Sequence, residues 1–193
     1  MQLATPLDKL HNAQVLAWCR KGFTVPHYET IGMMLPRLAK LWELNLSDNK
    51  MGDFGMRGLV DGLGRGAMPS LTGLHLHHNR IATEGAAALA AALDRGAMPE
   101  LQILDISENE LGDEGLISAA PALRRAPLLQ TLYLSRTEIG DEGLAALTAA
   151  SGEGEDALRR LKTLPRGWQE SPAATLGAPC AAALLLEPAA ACR

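Results

Sequence analysis

Four copies of one pattern run down the middle of this chain at a spacing of 28–30 residues. They begin LWELNLSDNKMGDFG at Leu41, LTGLHLHHNRIATEG at Leu71, LQILDISENELGDEG at Leu101 and LQTLYLSRTEIGDEG at Leu129. The stretch RGAMP also recurs verbatim, at Arg65–Pro69 and Arg95–Pro99. A fixed period constrains the fold more than any single residue does. A unit of this length cannot bury its apolar face alone and must stack on its neighbours.

Within one copy the apolar period changes partway along. Leu101, Leu104 and Ile106 are apolar, while Asp105 and Ser107 between them are polar. That period of two predicts a short strand with one buried face. Asn109, Leu111 and then Gly112–Gly115 follow, with Asp113 as a candidate N-cap and Glu114 suited to the positive end of a helix. Leu116, Ala119, Ala120 and Leu123 then recur at helical spacing, as do Ala86, Leu89, Ala92 and Leu93 one copy earlier. A strand that leads into a helix and returns to the next strand is a parallel crossover.

The pattern LxxLxLxxNx[IL], followed by GDEG and a full helix, resembles the ribonuclease-inhibitor class of leucine-rich repeats over residues 38–150. The resemblance implies an α/β solenoid shaped as a horseshoe, with parallel strands on the concave face and helices on the convex face. It also implies that Asn49, Asn79 and Asn109 are structural, bonding backbone groups left open where each strand ends. Thr137 stands at that position in the fourth copy, so the ladder weakens there. Gly55, Gly85, Gly115 and Gly143 are likewise architectural. Inhibitors of this class are rich in cysteine, whereas the four copies here contain none.

Residues 1–37 are expected to hold an N-terminal helical segment and a degenerate capping repeat. At a 28-residue offset Leu16 aligns with Leu44, Trp18 with Leu46, Phe23 with Met51, Ile31 with Leu59 and Leu35 with Leu63. Residues 151–193 read as a weakly ordered, Ala- and Pro-rich tail, with an aborted fifth repeat near 158–164 that Pro165 cuts short.

Composition excludes several classes of function. Between Leu38 and Ala150 there are 15 acidic and 9 basic residues, a local net charge of −6. That argues against nucleic acid, whose phosphates need a clustered basic face. No apolar run reaches membrane-spanning length, and the first 15 residues lack the basic start and apolar core of a signal peptide. Cys19, Cys180 and Cys192 form no paired framework, which predicts a reducing compartment and a cytoplasmic protein. No nucleophile elbow, phosphate loop, zinc-protease helix or dinucleotide motif is present, so the expectation is a non-enzyme without a cofactor.

Function is sought in the letters that change between copies. Positions five and seven alternate with the buried leucines and are expected to face solvent. One row reads Asn45, His75, Asp105, Tyr133 and the next Ser47, His77, Ser107, Ser135. Two histidines and a carboxylate are the donors a zinc ion takes. Flat, adjacent ladder positions seldom converge on one point, however, and cross-strand His–Asp pairing explains the same pattern without a metal. The expected binding face therefore consists of Trp42, Asn45, His75, His77, Asp105, Glu108, Tyr133 and Arg136. Trp42 alternatively shields the edge of the first strand. An acidic patch of Asp48, Asp105, Glu108, Glu110 and Glu138 points to a protein partner with a basic surface.

The leading expectation is a protein–protein interaction module, since horseshoe proteins mostly bind other proteins. Two alternatives stand beside it. One is regulation of a small GTPase, for which Arg80 and Arg136 are the strand-side candidates. The other is a fragment of a longer array with no independent function, whose last apolar repeat would invite stacking.

Overall fold

Five three-residue strands stack side by side, each one a repeat further along the chain. A computed structural model describes Leu10 and residues 12–148. The strands are β1 (Val15–Ala17), β2 (Glu43–Asn45), β3 (Gly73–His75), β4 (Ile103–Asp105) and β5 (Thr131–Tyr133), all parallel and in sequence order. A helix follows each strand: α1 (Val25–Met34), α2 (Gly52–Val60), α3 (Thr83–Asp94), α4 (Gly112–Arg125) and α5 (Asp141–Thr148). Parallel strands lie about 4.8 Å apart, whereas packed helices need about 8–10 Å. The array therefore bends with the sheet on its concave side.

The register sets identical letters against one another. Leu16, Leu44, Leu74, Leu104 and Leu132 form one buried row under the sheet. The helices close the core from the other side, through Ala86, Leu89 and Ala92 in α3 and Leu116, Ala119, Ala120 and Leu123 in α4. Leu93 is only partly buried against that core. Residues 12–37 contribute both a strand and a ten-residue helix, with Leu16 opposite Leu44. The expected tail and aborted repeat lie outside the described residues.

Asn49, Asn79 and Asn109 form a ladder under the strand ends. Asn79 Oδ1 accepts from the backbone N–H groups of Asn49 (3.1 Å) and Met51 (3.3 Å) in the preceding repeat. Its Nδ2 donates to the carbonyls of Leu46, Leu76 and His77. Asn109 repeats the arrangement one unit along, and Asn49 does so toward the first unit, taking the N–H groups of Lys21 and Gly22. Thr137 keeps one such bond, from its hydroxyl to the Leu134 carbonyl.

A second ladder runs along the helix starts and corrects the reading of Asp113 as the cap of its own helix. Leu111 holds the N-cap position of α4 without a side-chain bond, and Asp113 lies in the first turn. The Asp113 carboxylate reaches forward to the next repeat, accepting from the N–H groups of Gly140 (2.7 Å) and Gly143 (3.0 Å). Asp53 does the same for Ala82 and Gly85 at the start of α3. The recurring glycine follows from this closeness: a Cβ on Gly85 would sit 2.5 Å from Asp53 Oδ1. The repeated RGAMP stretches also pair with each other, Gly66 N–H to the Gly96 carbonyl and Met68 N–H to the Ala97 carbonyl. Arg95 caps the end of α2 by donating to the carbonyls of Val60 and Leu63.

One polar atom in the core has no partner among the described residues. The Tyr28 hydroxyl is buried without a hydrogen bond, and burial pushes its pKa up. Its ring is well packed, edge-on to Phe23 at 5.8 Å. Tyr28→Phe removes only the stranded hydroxyl, so thermal melting should show equal or higher stability, by up to about 1 kcal/mol. A loss of that size would mean that the hydroxyl is satisfied.

Cys19 lies among the described residues, whereas Cys180 and Cys192 lie outside them. Among the described residues no helix is long and apolar enough to cross a membrane.

Candidate functional site

The outward positions of the sheet lie in the rows that the repeat alignment pairs. Asn45 stands opposite His75, His75 opposite Asp105, and Asp105 opposite Tyr133. They do not all face solvent. Asp105 is only 6% exposed and Ser47 is fully buried, which corrects the expectation of two open polar rows. Asp105 is covered because its carboxylate turns along its own strand, accepting from the Ser107 backbone N–H (3.1 Å) and hydroxyl (2.5 Å).

That turn redirects the expected His–Asp pairing. His75 lies beside Asp105 in register, but its ring meets Glu43 instead, with Nε2 3.6 Å from the carboxylate. Asp105 is met by His77, whose Nδ1 lies 3.4 Å from Oδ2 and 2.8 Å from the Ser47 hydroxyl. The hydrogen bond to Asp105 raises the His77 pKa despite partial burial, helped by the charges of Asp105, Asp48 and Glu108. Burial by itself would raise the Asp105 carboxyl, but the bonds from His77 and Ser107 outweigh it and hold the group below its ordinary value. Among the described residues, no group of three or more His, Cys, Asp or Glu side chains is placed to hold a metal ion.

A further row escaped the reading of single positions. Position eight of the five units is Arg20, Asp48, His78, Glu108 and Arg136. Each contacts the next: Arg20–Asp48 at 3.4 Å, Asp48–His78 at 3.2 Å, His78–Glu108 at 3.8 Å and Glu108–Arg136 at 3.2 Å. All five hold the left-handed backbone conformation, with φ between 54 and 59°. Non-glycine residues adopt it only where the fold imposes it. The signal was present in the sequence as a charge that alternates at the repeat period.

The sheet face also carries exposed apolar surface. Trp42 is 44% exposed, Val15 45% and Ile103 37%, and Tyr133 is partly exposed at the far end. Trp42 does not shield an edge, because β1 pairs outside β2. Asn45 is turned into its own strand, with Oδ1 accepting from Ser47 N–H. Of the expected face, Trp42, Glu108 and Arg136 are exposed, Asn45, His75, His77 and Tyr133 are partly exposed, and Asp105 is buried.

The family model of the leucine rich repeat matches four segments, residues 38–60, 67–90, 97–118 and 126–147, one for each copy. The chain belongs to the leucine-rich repeat family. No curated protein sequence matches it. Solved structures share the leucine-rich repeat architecture at low identity. "Leiomodin-1 Actin-Binding Site 2 (ABS2)" is 16% identical with a TM-score of 0.59, over 79% of this chain and 89% of that one. A tropomodulin C-terminal domain from Caenorhabditis elegans is 13% identical with the same TM-score, over 80% and 89%. These likenesses speak for the fold.

Proposed function

We propose that this leucine-rich repeat chain is a non-catalytic protein-interaction module that docks its partner on the concave strand face. The observation that carries the reading is a division of labour within the repeat. The recurring letters are buried as leucine rows and asparagine ladder, while Trp42, Ile103, Tyr133 and the charged rim vary and stay accessible. Exposed aromatic groups on a rigid surface are the usual anchors of interfaces, and rigidity spares ordering entropy on binding. The leiomodin-1 neighbour, named for an actin-binding site, supports protein binding as the class of function. At 16% identity it lends the fold and not the ligand. The acidic residues Asp48, Glu108, Glu110 and Glu138 favour a partner with basic groups. The full helix of 8 to 14 residues in every repeat supports placement in the ribonuclease-inhibitor-like class.

Regulation of a GTPase is the second reading: of its two candidates Arg136 is engaged with Glu108, while Arg80 is exposed. The test is affinity capture with the native chain and with a Trp42→Ala/Tyr133→Ala variant. The expected result is loss of the native chain's partner, with unchanged melting. Identical recovery by both proteins would move the interface off this face.

A further inference from the structure

Two imidazoles sit among three carboxylates at the strand ends, and together they tie three repeats to one another. His77 and His78 belong to the second copy, Asp48 to the first, and Asp105 and Glu108 to the third. His77 faces Asp105 at 3.4 Å through Nδ1 and Asp48 at 3.9 Å through Nε2. His78 Nδ1 lies between Asp48 at 3.2 Å and Glu108 at 3.8 Å. Arg20 and Arg136 close the two ends of this row against Asp48 and Glu108. The other titratable pair on the sheet, His75 with Glu43, is engaged with itself. With both imidazoles protonated, four cations oppose three carboxylates and the cluster carries +1. With both neutral, two cations oppose three and it carries −1.

We infer that His77 and His78 form a proton-operated clasp across the first three copies of the repeat, closing in acid and turning the rim of the concave face acidic when they deprotonate. The inference rests on the docking reading above, since it is the charge of that face that the clasp sets. Protonated imidazoles bridge Asp48, Asp105 and Glu108, so the three repeats are cross-linked by ion pairs. Neutral imidazoles leave those carboxylates without their central counter-ions, in a form that suits a basic partner. Asp105 keeps the clasp working, because its carboxyl is held below its ordinary value and stays ionised while the imidazoles titrate. The sign follows from the upward shift of His77. Its stabilisation is complete below the ordinary 6.5 of imidazole and is lost as pH rises through the higher folded midpoint.

The experiment uses the full chain without a partner, so its outcome is separable from failure of the docking test. Histidine resonances and backbone amides are followed by NMR from about pH 5 to about pH 8.5, spanning the imidazole range. Melting curves of the native chain and of His77→Asn/His78→Asn are recorded over the same range. The expected result is a His77 midpoint above 6.5, with the amides of Asp48, Asp105 and Glu108 moving at that same midpoint. The native chain should melt above the variant in acid, and the difference should vanish at the alkaline end. Both imidazoles titrating as free histidine, with those amides silent, would overturn the clasp whatever the variant does.

Discussion

Asn79→Ala is expected to lower the stability of the chain by about 4 kcal/mol, enough to unfold a marginal domain. The side chain is fully buried and holds five backbone groups in two adjacent repeats. Alanine strands the two buried N–H groups, while the three carbonyls each keep a second donor, from Asn49 Nδ2, Asn109 Nδ2 and the Asp48 N–H. Each group left unpaired costs about 1–3 kcal/mol, and local relaxation recovers only part of the sum. Thr137→Ala is the internal control, since that hydroxyl makes a single such bond and its loss should cost about 1 kcal/mol. Urea unfolding of both variants measures the two values. A cost below about 1 kcal/mol for Asn79→Ala would mean that the strand ends are not held by the ladder.

Gly32→Ala is expected to destabilise by about 2 kcal/mol, although in an exposed helix interior the same change gains about 1 kcal/mol. Gly32 lies near the end of α1, where that helix meets α2. A Cβ there would lie 2.6 Å from the Leu59 carbonyl oxygen and 2.8 Å from that of Gly58. Both atoms belong to backbone, so no side chain can rotate away, and the two helices must separate. The clash exceeds the propensity gain, and the sign reverses. Gly62→Ala, with nothing within 4 Å of the new carbon, should be neutral or better. If Gly32→Ala melts at or above the native temperature, the contact between the first two helices is looser than described.

What the sequence revealed of this molecule tracks the repeat period. Stacking turns an equal spacing in sequence into a neighbour relation in space, so Leu44 against Leu74 and His75 against Asp105 were legible from the alignment of copies. The side-chain turns at those positions were not. Asp105 bends toward Ser107 and thereby pairs with His77 rather than His75, a choice of rotamer that no period encodes. Asp113 looked like the cap of its own helix because capping is usually local. In a stack the neighbouring helix start is equally near, and the carboxylate serves that one. The rim of Arg20, Asp48, His78, Glu108 and Arg136 becomes legible when charges, and not only leucines, are aligned by copy.

The most direct measurement of the docking account is site-specific photo-crosslinking. A photoreactive residue is placed in turn at Trp42 and Tyr133 on the strand face, and at Phe54 and Ile117 on the helix side, where exposure is 71% and 39%. The account predicts that one and the same partner is captured from positions 42 and 133 and not from 54 or 117. Capture of that partner from the helix side alone would contradict it.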